Sequence, residues 1–90
     1  MYHPELNLHP LPERLLPLME QLAQKVHDTW AAGRLSEGWQ WGPELDHSKM
    51  IHPSLIPYEA LSEAEKDYDR RTATQTILFL LEQGYRIDKE

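Results

Sequence analysis

The sequence predicts a mainly α domain of two long antiparallel helices, with a proline-rich connection and minor short β-strands. Apolar residues recur at helical spacing in the first half of the chain, which predicts one helix, and a capping box and a C-terminal glycine predict the second. The segment between them contains Pro43, Pro53 and Pro57, which exclude a long helix there. Residues 1–10 show no sustained period and are expected to form an extended arm, so that the domain proper spans residues 11–90.

The first helix is expected over residues 16–36. Pro12 opens a separate turn before it, and Pro17 is tolerated within its first turn. Gly38 can adopt the left-handed conformation that ends a helix. An apolar stripe at steps of three and four is expected to face the core, and it consists of Leu15, Met19, Leu22, Val26 and Trp30.

The second helix has clear signals at both ends. Ser62 and Glu65 have the spacing of a capping box, and Gly84 supplies a C-terminal cap. Beyond that glycine, residues 85–87 alternate between apolar and polar side chains. The alternation predicts a short strand that pairs with residues 39–41.

Composition excludes several classes of function. The net charge of −6, from 15 acidic and 9 basic residues, argues against nucleic acid as a partner. The chain has no cysteine, which suits a cytoplasmic location, and no apolar run approaches the roughly 20 residues of a membrane span. Its five histidines include no pair at helical ligand spacing, so neither a metal nor another cofactor is expected.

Motifs around the end of the first helix resemble those of the ryanodine receptor repeat. His27-Asp28-Thr29-Trp30-Ala31, Arg34 and Gly38-Trp39-Gln40-Trp41-Gly42 are similar to that family's His-x-x-Trp-Ala, basic residue and Gly-Trp-x-Tyr-Gly. The similarity continues through residues 52–58, which match His-Pro-x-Leu-x-Pro-Tyr, and through residues 81–85, which match Leu-x-x-Gly-Tyr. Trp41 stands where the family usually has tyrosine.

The resemblance implies the fold of a single ryanodine receptor repeat. In animal channels such repeats form tandem pairs on the cytoplasmic shell and are implicated in regulation by small ligands and phosphorylation. The chain looks like the short, single-repeat members found in prokaryotes and phages. Any site that the channels build between paired repeats would here have to come from one repeat or from two copies of the chain.

Trp39 and Trp41 are candidate ligand-binding residues. If this segment is extended, both rings lie on one face and offer a stacking surface for a planar ligand. We expect Trp41 to face a pocket and Trp39 to do so in part. The alternative is that both rings simply close a small core, as Trp30 is expected to do.

Tyr58, Arg34 and Arg70 complete the candidate ligand site. The two arginines can supply the positive charge that an anionic ligand needs. The alternative for Arg70 is an exposed helix face on which it and Lys66 pair with Glu63, Asp67 and Asp69. His52 lies in the same proline-stiffened turn as Tyr58, and we expect it to form hydrogen bonds with the loop backbone.

Phe79 and Leu80 are candidate self-association residues. They belong to an apolar run over residues 77–81, which covers more of the helix surface than one packed partner helix needs. A homodimer interface would bury the remainder, and so short a chain would gain stability from it. The alternative is that helix two runs through the middle of its own domain.

No catalytic motif is found, and an enzyme is not expected. The first hypothesis is therefore a non-enzymatic cytoplasmic ligand-sensing module with an aromatic pocket for a nucleotide-like or other planar anionic small molecule. The alternative is a protein–protein interaction or self-association module that has no small-molecule ligand.

Overall fold

The computed structural model describes all residues, 1–90, and is mainly helical, as the sequence predicts. The elements, in chain order, are a 3-10 turn at Glu13–Leu15, α1 at Leu16–Ser36, β1 at Gln40–Trp41, β2 at Ile51–His52, a second 3-10 turn at Tyr58–Ala60 and α2 at Glu63–Glu82.

Helix α1 begins and ends where the prolines and glycine indicate. Pro12 precedes the first 3-10 turn, and Pro17 lies in the first turn of α1. At the other end Gly38 has a φ of 98°, and two hydrogen bonds close the helix, from Gly38 N to Leu35 O at 3.1 Å and from Trp39 N to Arg34 O at 3.1 Å. This pattern is the Schellman motif, which satisfies carbonyls that a helix end leaves unpaired.

Helix α2 has the predicted capping box. Glu65 N donates to the Ser62 hydroxyl at 3.2 Å, and Ser62 N donates to the Glu65 carboxylate at 3.3 Å. Its C-terminal end repeats the Schellman motif, with Gly84 at a φ of 90° and a bond from Tyr85 N to Leu80 O at 3.1 Å. Both helix limits therefore follow from local backbone requirements.

The predicted pairing of residues 39–41 with residues 85–87 is wrong. Strand β1 instead pairs in parallel with β2, in the register Gln40 with Ile51 and Trp41 with His52. The chain turns between Asp46 and Ile51, and this turn places β2 beside β1. Two hydrogen bonds close the turn, from Asp46 N to Ile51 O and from Ile51 N to Asp46 O, both at 2.9 Å. Residues 85–87 form no strand.

The core lies where the two helices cross. Ala23 of α1 and Ala73 of α2 are both fully buried, and their small side chains let the two helices approach closely. Tyr58 and Leu61 cover this contact. The apolar stripe predicted on α1 faces the core, and Leu15 is buried there. The other members of the stripe are only half-buried, and they are Met19, Leu22, Val26 and Trp30.

Segments at the two ends of the chain are held close to each other. In the N-terminal arm, Asn7 N donates to the side chain of Gln75 at 3.0 Å, and Gln75 donates back to Asn7 O at 2.8 Å. Beyond the arm, Arg14 donates to Ile87 O at 2.6 Å. The start of α1 thus lies beside the segment after α2, which makes the helices antiparallel. None of the helices combines the length and apolarity that crossing a membrane requires.

Candidate functional site

The end of α1 brings Arg34 and Trp39 together. The Schellman hydrogen bond from Trp39 N to Arg34 O folds the chain back by one helical turn. As a result, the Arg34 guanidinium carbon lies 5.0 Å from the centre of the Trp39 ring and 6.0 Å from that of Trp30. These distances are typical of cation–π contacts.

The charge of Arg34 is only weakly neutralised within the chain. Its one carboxylate partner is Glu37, at 3.6 Å, whose side chain is 62% exposed. The Arg34 side chain is 40% exposed, and its Nη1 atom lies too far from Glu37 for a hydrogen bond. The exposed part of the guanidinium therefore keeps donor capacity that an anion can use.

Histidine rings surround the two inner tryptophans. His47 packs edge-on against Trp39 at 5.8 Å, and His52 packs edge-on against Trp30 at 4.8 Å. As expected, His52 serves the loop backbone, because its Nδ1 accepts a hydrogen bond from Ser54 N at 3.0 Å. Burial, and next the nearby Arg34 charge, lower the pKa of His52, which favours its neutral form.

The two tryptophans of the candidate site differ in exposure. Trp39 is 9% exposed, whereas Trp41 is 56% exposed. Trp39 precedes β1 and is covered by Arg34, His47 and His52. Of the two rings, only that of Trp41 therefore keeps an open surface.

Tyr58 and Arg70 lie in a different cluster, centred on Glu20. The Tyr58 hydroxyl donates to Glu20 at 2.8 Å, and Arg70 Nε donates to the same carboxylate at 2.8 Å. Arg70 Nη1 also donates to Glu63 at 2.8 Å and to Asp67 at 2.9 Å. These bonds link α1, the second 3-10 turn and α2.

The charges in this cluster are mutually satisfied. Hydrogen bonds, first from Arg70 and then from Tyr58, lower the pKa of Glu20. Burial, followed by the bond to Glu20, raises the pKa of Tyr58 to about 12. The bonds to Glu20, Glu63 and Asp67 raise the pKa of Arg70. An arginine with three carboxylate partners has little capacity left for an external anion.

Two surface cavities are lined by none of the five candidate ligand residues. The larger one, of about 780 Å³, lies between the N-terminal arm and α2, where Phe79 and Leu6 form its apolar part. Phe79 is 58% exposed and Leu80 is 39% exposed. The candidate self-association residues thus lie at the surface, next to the groove under the arm.

The smaller cavity, of about 230 Å³, lies between α1 and α2. Its polar and aromatic lining consists of His27, Trp30, Ser54, Glu65, Tyr68 and Asp69. The sequence interpretation missed this group as a site. A signal was present, because His27 and Trp30 are three residues apart on α1, and on α2 Tyr68 and Asp69 follow Glu65 by three and four residues.

The sequence matches a known protein family. The family model described as "RyR domain" matches residues 5–89, which is nearly the whole chain and includes part of the N-terminal arm. The match agrees with the motifs around Trp30, Trp39 and Trp41 and with the mainly helical fold. The chain therefore belongs to the RyR domain family.

Proposed function

We propose that this RyR domain is a non-enzymatic cytoplasmic module that senses a nucleotide-like or other planar anionic small molecule. The single-repeat prokaryotic or phage type that its motifs resemble is part of the same proposal. The observation that supports it best is the Arg34 guanidinium over Trp39 at 5.0 Å, with an exposed Trp41 following on the same short segment. We limit the proposed site to Arg34, Trp39 and Trp41.

The three residues offer complementary chemistry. Trp41 supplies an open aromatic surface on which a planar base can stack, at about 1 to 3 kcal/mol per base. The exposed part of the Arg34 guanidinium supplies donors for a phosphate, at about 1.5 to 3 kcal/mol for a charge-assisted hydrogen bond. Because both groups are partly exposed, we expect an affinity on the order of micromolar to millimolar.

Tyr58 and Arg70 are left out of this site on physical grounds. Tyr58 is buried and donates its hydroxyl proton to Glu20, and Arg70 is held by Glu20, Glu63 and Asp67. The net charge of −6 also disfavours a polyanionic surface, so neither nucleic acid nor a membrane is part of the proposal.

Indole fluorescence tests the proposal. Titration with AMP and with adenosine should quench the emission saturably, because the base stacks on Trp41 in both complexes. Added salt should weaken the binding of AMP and leave adenosine nearly unchanged, since only the nucleotide carries a phosphate that pairs with Arg34.

Variants assign the effect to the site. Trp41→Ala should remove the quenching by both ligands, and Arg34→Gln should weaken AMP while sparing adenosine. Arg86→Gln is the matched control, because Arg86 is 88% exposed and pairs with Asp88 near the C-terminal end. The absence of quenching by either ligand at millimolar concentration, with Trp41 shown accessible to acrylamide, would contradict the proposal.

A second candidate function is self-association without a small-molecule ligand. Phe79 and Leu80 directly follow the buried pair Ile77 and Leu78, so α2 presents apolar side chains outward as well as inward. A second copy of the chain, or a partner protein, would cover them.

A further inference from the structure

The smaller cavity between α1 and α2 has an acidic and aromatic lining. Glu65 and Asp69 contribute carboxylates, and Trp30 and Tyr68 contribute rings. No lysine or arginine lines it. The lining is therefore complementary to a positively charged group, the opposite of what the Arg34 surface offers.

His27 turns a hydrogen-bond acceptor toward this cavity. Its side chain is only 5% exposed, and its Nε2 lies 2.7 Å from Ile56 O. A carbonyl oxygen can only accept, so Nε2 carries a proton, and in the neutral form of imidazole Nδ1 is then an acceptor. Nδ1 has no hydrogen-bond donor, and the nearest charged group is the Asp69 carboxylate at 4.0 Å.

Asp69 is the second group without a donor. Glu65, by contrast, accepts hydrogen bonds from Ser54 at 2.5 Å and from Ser62 at 2.9 Å. The Asp69 side chain is 20% exposed, and burial raises its pKa against the opposing effect of the nearby His27. Two acceptors, one of them a carboxylate, thus face each other across 4.0 Å with no donor between them.

We propose that this cavity binds the primary ammonium group of a small ligand, with His27 Nδ1 and Asp69 as its two hydrogen-bond acceptors. One ammonium nitrogen can lie about 2.8 Å from both atoms at once, because they are only 4.0 Å apart. Trp30 and Tyr68 add cation–π attraction. Tyr68 already shows this chemistry, since the Arg71 guanidinium carbon lies 5.6 Å from its ring centre.

The size of the cavity selects the kind of ligand. At about 230 Å³ it lies below the roughly 300 to 1,000 Å³ of sites that enclose a whole drug-sized molecule. It accommodates an alkylammonium head with a short chain. The site shares no residue with Arg34, Trp39 and Trp41, so the two binding proposals stand or fall separately.

Matched amines and alcohols test the inference on the intact chain. We would follow the NMR signals of the Trp30 indole and the His27 ring during titration with n-butylammonium, with butyltrimethylammonium and with 1-butanol. Butylammonium should shift both signals saturably. Butyltrimethylammonium has no N–H donor, so its affinity should be lower by roughly ten-fold or more. The uncharged 1-butanol should cause no saturable shift.

Substitution of the Asp69 carboxylate should abolish the preference for butylammonium over 1-butanol. Asp69→Asn should weaken butylammonium binding by roughly ten-fold or more. Asp67→Asn, on the same helix with its side chain 63% exposed, is the control and should leave the affinity unchanged. If Asp69→Asn does not fold, the comparison of butylammonium with 1-butanol on the unaltered protein decides alone.

Three outcomes would overturn the inference. The first is an equal response to 1-butanol and butylammonium, and the second is an Asp69→Asn protein that binds butylammonium as tightly as the unaltered chain. The third is the absence of any saturable shift up to about 100 mM butylammonium, which is roughly 100-fold above a millimolar Kd. AMP serves as the cross-check, because loss of its binding in Trp41→Ala with retained butylammonium binding would separate the two sites.

Discussion

Gly42 illustrates how closely single residues fit in the small sheet. It is buried, and a Cβ atom at this position would lie 2.3 Å from Cγ2 of Ile51. That methyl group is attached directly to the branched Cβ of Ile51 and cannot swing aside without moving the strand. Glycine at this position is therefore required by close approach of β2.

The substitution Gly42→Ala should destabilise the protein by about 1 to 3 kcal/mol, because the added methyl group overpacks the contact with Ile51. Chemical denaturation measures the change in the free energy of unfolding. Gly33→Ala is the control, since a Cβ there meets nothing within 4 Å, and it should stabilise α1 by about 0.5 to 1 kcal/mol. Equal stability of the two variants would contradict the assignment.

Residue roles were only partly predictable from the sequence. The alternation of Trp39 and Trp41 indicated one shared face, but burial separates them, since Trp39 is covered by Arg34, His47 and His52. The two histidines contact Trp39 because the chain turns back after β1. Sequence spacing does not describe that turn. Local patterns identified the aromatic residues without showing which of them the loop would cover.

At the scale of elements, the helices were predictable because their ends are local. Pro12, Ser62, Gly38 and Gly84 each act on their own helix terminus, and both helices begin and end accordingly. The pairing of β1 was not predictable. It depends on the turn that carries the chain to Ile51, and strands this short have no pattern that selects a partner.

The two helices are joined by the charged cluster around Glu20, which should make stability depend on pH. Arg70 and then Tyr58 lower the pKa of Glu20 below its ordinary value of 4.5. At moderately acid pH the unfolded chain therefore binds more protons at this group than the folded chain does. The stabilisation is complete above pH 4.5 and is lost as the pH falls through the lower pKa of the folded state.

Glu20→Gln should consequently reduce the loss of stability between about pH 6 and about pH 3. The free energy of unfolding, measured by denaturant titration at each pH, gives the slope. Glu44→Gln removes a carboxylate from an exposed loop position and should retain the acid profile of the unaltered protein. A Glu20→Gln protein with an unchanged acid slope would show that the cluster does not couple the helices in this way.

At the scale of the whole molecule, the outward apolar side chains of α2 predict self-association. Sedimentation should detect a dimer at micromolar concentration, because Phe79 and Leu80 lose contact with water when a second copy covers them. Leu80→Glu should give a folded monomer. Leu35→Glu, at a leucine that is 57% exposed on α1, should remain dimeric.

A protein that stays monomeric at high concentration would contradict this prediction. So would a Leu80→Glu variant that dimerises like the unaltered chain, because the interface would then lie elsewhere. Circular dichroism of each variant shows that a loss of association is not a loss of folding.

The hydrogen bonds at the chain ends bear on how the module can be joined to other proteins. Asn7 is bound to Gln75 and Glu82 of α2, and Arg14 is bound to the carbonyl of Ile87. The chain therefore enters and leaves the fold side by side. A domain with this geometry can be inserted into a surface loop of a host protein without forcing the host's two cut ends apart. The same arrangement should let a short linker join the two ends in a circular permutant.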